Sequence, residues 1–152
     1  MPIKGFIPLQ TPQDLLAKLE HDLGRMESDP TDAHAAFDFF VTAEHLLDWL
    51  HPDSANGKAD REKLRNQYEI LQTVSHLACG AKHFDGLRNY HKAVDSQSFS
   101  DGRFSSKSFS TASFDPGSFE FAGITIKLTT GENKFAVDLA KEVYEFWRGS
   151  LT

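Results

Sequence analysis

Phe37-Asp38-Phe39-Phe40-Val41-Thr42-Ala43-Glu44-His45-Leu46-Leu47-Asp48-Trp49-Leu50 reads as a helix that one apolar face cannot account for. A surface helix carries a single apolar stripe. Here Phe37, Phe39, Phe40, Val41, Leu46, Leu47, Trp49 and Leu50 cover more than one side, so this helix belongs at the centre with neighbours around it. Asp29 and Pro30 open it, and Pro52 ends it shortly after Leu50.

Upstream, Thr11, Pro12 and Asp14 supply an N-cap, a first-turn proline and an early acid, so a helix starts at Pro12. Leu15, Leu16, Leu19, Leu23 and Met26 recur along it at helical spacing, and it ends before Pro30. Residues 1–10 read as an extended arm. Downstream, Asp53 to Gly57 has turn chemistry, and helical periodicity resumes through Leu64, Tyr68, Leu71, Val74, Ser75 and Ala78. This third long helix has room for one break and weakens at Gly80, closing a helical core over residues 11–92.

Residues 95–118 turn to serine, glycine and phenylalanine with almost no aliphatic side chains, and read as a long Ser/Phe-rich loop. Ile124, Ile126 and Leu128 then alternate with Thr125, Lys127 and Thr129, and Thr130-Gly131-Glu132-Asn133 offers a turn before Lys134 to Val137. Residues 119–137 are therefore expected to form a β-hairpin. Leu139, Ala140, Val143, Tyr144, Phe146 and Trp147 return to helical spacing for a closing helix over 138–149, with Arg148 in its last turn and Gly149 as its stop. The predicted fold is α+β and mainly α: one domain over 1–152, a bundle of about four helices with a C-terminal hairpin and a long loop.

A formal net charge of -6 supplies no whole-molecule field to gather phosphate backbones, which argues against DNA and against generic nucleic-acid binding. A local basic run through Lys82, His83, Arg88, His91 and Lys92 keeps a narrower RNA contact open. Cys79 is the single cysteine, so an intrachain disulfide and a cysteine-rich zinc site are both excluded. The N-terminus lacks the apolar run of a signal peptide, and Asp38, Glu44 and Asp48 interrupt the most apolar helix. A cytoplasmic chain that does not engage membrane is expected.

Phe99, Phe104, Phe109, Phe114 and Phe119 follow one another at intervals of five, usually beside serine. Five is odd, so on one strand successive rings alternate faces, and on an α-helix each is rotated away from the last. Pentapeptide solenoids want a small residue two before each centre; Gly102, Ala112 and Gly117 comply, but Gln97 and Lys107 do not. The plainer reading is a mobile or partly docked loop, and the sharper one an aromatic arm that docks a partner through Phe99, Phe104, Phe109 and Phe114.

His45 and Asp48 lie three apart on the second helix, and His76 and His83 lie seven apart on the third, so each pair shares a helical face. The paired Glu-x-x-His of di-metal bundles is missing, as are His-Glu-x-x-His and any Cys/His cluster, so no metal site is assigned. Cys79, between Ala78 and Gly80, reads as an inert thiol. No Gly-x-Gly-x-x-Gly, P-loop or Gly-x-Ser-x-Gly occurs, so no cofactor is expected.

The segments Phe39 to Leu50 and Leu77-Ala78-Cys79-Gly80-Ala81-Lys82-His83-Phe84 resemble a family of small, uncharacterised bacterial and phage proteins that is similar to HEPN-like helical bundles; the likeness spans residues 35–90. That resemblance implies a dimeric ribonuclease with an arginine separated from its histidine by four to six intervening residues. His83 matches the histidine, but His76, Leu77 and Ala78 stand where the arginine belongs, and none offers a guanidinium for a phosphate.

Two functional expectations result. The first is a non-catalytic helical module that binds a protein partner or itself. The alternative is a divergent HEPN-type RNA-binding or RNA-cleaving protein, a metal-independent ribonuclease if it is an enzyme, with His83 as acid or base and Lys82 or Arg88 on phosphate.

Overall fold

Thr11 begins the first helix by a reciprocal cap: its hydroxyl accepts from the Asp14 N–H, and the Asp14 carboxylate accepts from the Gln10 and Thr11 N–H groups at 2.9 Å. Three backbone donors are satisfied at one helix start, and α1 runs Pro12–Ser28. Those same N–H groups hold the Asp14 carboxyl below its ordinary value, the Gln10 N–H contributing most. In a computed structural model describing residues 4–83, 93–100 and 122–151, α1 is followed by α2 (Ala33–Leu50), α3 (Lys58–Gln67), α4 (Glu69–His83), β1 (Val94–Ser100), β2 (Gly123–Leu128), β3 (Asn133–Phe135) and α5 (Ala136–Leu151).

α2 is the central element, packed against α1, α4 and α5. Its Phe39, Ala43, Leu46 and Leu47 are almost fully buried, joined by Leu19 of α1, Val74 of α4, and Ala140, Val143 and Trp147 of α5. Phe39 and Phe40 meet edge to face at 5.3 Å, a geometry that suits the ring quadrupoles. The start of α2 differs from the sequence expectation: Asp32 is its N-cap and accepts from Ala35 N–H, while Asp29 caps the end of α1 and accepts from Thr31. Two acids compete for the cap, and the one that keeps Pro30 in the connection wins.

The third helix breaks at Tyr68, giving five α-helices among the described residues where about four were expected. Gly57 sets the entry to α3. A Cβ there would sit 2.1 Å from the His51 carbonyl oxygen, so the chain turns this tightly only without a side chain.

The sheet is antiparallel, in the order β1-β2-β3. β2 and β3 form the expected hairpin, with Gly131 at φ +92 in the turn. The expectation that residues 95–118 are loop is corrected over its first residues: β1 pairs with β2 from Ser100↔Gly123 to Val94↔Leu128. Ladder bonds are made by backbone, so the polar Ser/Gln alternation of β1 concealed a strand whose side chains stay mostly exposed. A bulge between Val94 and Ser96 leaves Asp95 as the extra residue. The arm is likewise not extended where described: Phe6 N–H donates to Leu9 O at 2.7 Å, closing a turn whose Phe6 and Ile7 side chains are exposed. Among the described residues no helix is long and apolar enough to cross a membrane.

Candidate functional site

α2 and α3 are joined by a short turn and run antiparallel, so acids on one meet arginines on the other in reverse order. Glu44 and Asp48 lie one helical turn apart on α2; Arg61 and Arg65 lie one turn apart on α3. Arg65 pairs with Glu44, and Arg61 Nε lies 3.4 Å from Asp48 Oδ1, forming two rungs of a ladder. Arg61 also donates to the His51 carbonyl and to Asp53, which fixes its guanidinium at the turn. α3 thereby meets α2 through charge, Arg65 being its one buried residue, while Leu64 is half-buried against the core.

Beside this ladder opens a cavity of about 660 Å³, lined on α2 by Phe37, Val41, His45 and the two acids, on α3 by Lys58, Glu62 and the two arginines, and on α4 by Ser75, Cys79, Lys82 and His83. Pockets of roughly 300–1,000 Å³ are of small-ligand size. Burial pushes the Glu44 carboxyl above its ordinary value, and Asp48 adds to that, while Arg65 and Ser75 pull it back.

His45, Asp48 and His83 all line this cavity. His76 does not join them: its Nδ1 accepts the Val94 N–H at 3.2 Å, tying α4 to β1. Burial lowers the His76 pKa, in keeping with a neutral ring that accepts. The four residues therefore do not converge as one set, and among the described residues no group of three or more metal-ligating side chains is assembled. Lys82 and His83 reach the cavity together from the last turn of α4. Cys79 is half-exposed on the same wall.

Sequence reasoning missed Arg61, Arg65, Glu44 and Ser75 as site residues. The signal was present as two i,i+4 pairs of opposite sign flanking a turn, Glu44/Asp48 before it and Arg61/Arg65 after it. No guanidinium lies at positions 76 to 78, but two enter the cavity of His83 from α3.

A second, apolar groove of about 320 Å³ lies on the other side of Phe37, between Ala33, Ala36 and Phe40 of α2, Leu77 and Ala81 of α4, and Gln97, Ile124 and Ile126 of the sheet. Phe99, one of the expected partner-binding rings, is 62% exposed on β1 opposite Ile124. Phe37, which sequence reading assigned to the core, is 52% exposed and lines both recesses. Phe104, Phe109 and Phe114, and the expected phosphate contact Arg88, lie outside the described residues. No family model, curated protein or solved structure matches the chain.

Proposed function

We propose that this chain is a non-catalytic helical interaction module, and that it takes an apolar segment of a protein partner, or of a second copy, in the groove between α2, α4 and the sheet. The observation that carries the reading is the pair of exposed rings at that groove: Phe37 on its α2 wall, and Phe99 two residues along β1 from Gln97. On one strand face, residues two apart stand side by side, so Phe99 continues the row of Gln97. Large exposed aromatics beside an apolar recess are the usual composition of an interface centre. The charged cavity supports binding over catalysis, because Glu44 and Asp48 are already held by arginines.

The test compares wild type with Phe37→Glu and Phe99→Glu for self-association by sedimentation and for retention of a partner identified with the wild-type protein, with Tyr68→Glu on α4's far entry as control. Loss of association in the two groove variants alone, with circular dichroism unchanged, is the expected result. Association unaffected by both charges would overturn the groove as the contact.

A second reading, RNA binding or cleavage of the HEPN type, is favoured by Lys82 and His83 lining one cavity with Arg61 and Arg65. RNA cleavage that survives His83→Ala would remove His83 as its acid or base.

A further inference from the structure

We infer that α3 is a strap that opens as a unit while the rest of the fold stays closed, and that its opening admits large molecules to the recess where Cys79 lies. Both ends of the strap are fastened. At its start, Pro52 O accepts the Ala55 and Gly57 N–H groups at 3.0 Å, and Gly57 lies so close to the His51 carbonyl that no side chain fits there. At its end, Tyr68 leaves helical geometry at φ -121 and ψ 110, and its ring meets Phe146 of α5 edge to face at 5.0 Å.

Between those points α3 buries little. Arg65 is buried, Arg61 and Leu64 are half-buried, and the remaining residues of the helix are exposed. Its ties to the neighbouring helices are mainly polar: Arg65 to Glu44, Arg61 to Asp48 and to the His51 carbonyl, and the Gln72 side-chain amide to the Arg65 carbonyl at 2.8 Å. Leu64 adds an apolar contact with the core. Segments with few buried apolar contacts open at a lower free energy than the global one. α2, with Phe39, Ala43, Leu46 and Leu47 almost fully buried, lacks that route.

The cavity of about 660 Å³ lies beside α3, so lifting the helix breaks fewer packed contacts than a close-fitting face would require. At 10 residues α3 is too short to persist as an isolated helix. The open state is therefore a melted segment held at both ends. α3 contributes Lys58, Arg61, Glu62 and Arg65 to the cavity, whereas Cys79 stands on the α4 wall, so opening removes one side of the recess around the thiol. No α3 residue lines the apolar groove proposed for a partner, and the strap is independent of that reading.

Native-state hydrogen exchange on the full chain, followed at rising subdenaturing urea, reads the opening residue by residue. The backbone N–H groups of residues 62–67 are expected to be about a hundredfold less protected than those of residues 43–47, and to respond little to urea, because a local opening exposes little surface. Arg61→Gln speeds exchange in α3 by about tenfold and leaves residues 43–47 unchanged. Val143→Ala, deep in the core, does the reverse. Cys79, the single cysteine, reports on the cavity. A polymer-linked maleimide is expected to label it faster in Arg61→Gln by the same factor as the exchange, and at the wild-type rate in Val143→Ala. Equal protection and equal urea dependence in α2 and α3 would overturn the strap. Labelling of Cys79 that ignores Arg61→Gln while α3 exchange accelerates would overturn its role as the gate to the cavity.

Discussion

α1 and α3 are joined to α2 by opposite means: α1 packs against it, whereas α3 stands against α4 and reaches α2 through long charged side chains. α1 brings Leu15, Leu19, Leu23 and Met26 into the core and adds one buried acid, Asp22, which Lys18 and Arg25 both reach while Arg25 also bonds Asp38. α3 brings a single buried arginine and holds on through ion pairs to Glu44 and Asp48. Apolar faces close down on each other because every gap forfeits contacts. A charged seam is satisfied at two points and tolerates open space beside them, which is where the cavity lies. The recess therefore follows from how α3 is attached.

Four measurements can break or sharpen that contrast, in descending order of effect. Phe39→Ala, at the centre of the apolar side, should destabilise by about 4 kcal/mol in chemical denaturation, the usual range for a large ring deleted from a core. Arg65→Ala leaves Glu44 buried without its cation and should cost about 3 kcal/mol, whereas Glu44→Leu with Arg65→Met should recover most of that loss. A single loss near zero would mean that the charged seam is not what attaches α3. Thr11→Ala removes the α1 cap and should cost about 1 kcal/mol, read from the denaturation midpoint at constant slope.

The smallest effect is one of pH. The Glu44 carboxyl is raised in the folded chain, so the native state binds more protons than the unfolded chain just above the ordinary value of 4.5. Its contribution to stability is complete below that value and is lost as pH rises through the raised native one. Glu44→Gln should flatten that fall in a pH series of melting temperatures, and an unchanged slope would assign it to other groups.

The helical part of the fold was legible because its signals are local. Thr11-Pro12-Asp14 starts α1, Pro52 follows the end of α2, and Gly131 sits in the hairpin turn. α3 and β1 were less legible because what holds them is remote. Arg65 meets Glu44 across 21 positions, and β1 is defined by backbone pairing to residues beyond Gly123. The site was half legible for the same reason. Lys82 and His83 stood out as a basic pair on one helix end, but the arginines opposite them became neighbours only when the α2–α3 turn folded back.

The bulge at Asp95 carries a lesson about phase. Counting back from Phe99↔Ile124 and Gln97↔Ile126, an unbroken ladder would set the Asp95 carboxylate beside Leu128, which is 7% exposed. The extra residue acts as a one-letter frameshift: it skips the acid and delivers Val94 to that place instead. Deleting Asp95 would therefore leave the apolar row of the sheet in frame, whereas inserting a residue between Ser96 and Phe99 would throw every side chain before it onto the opposite face.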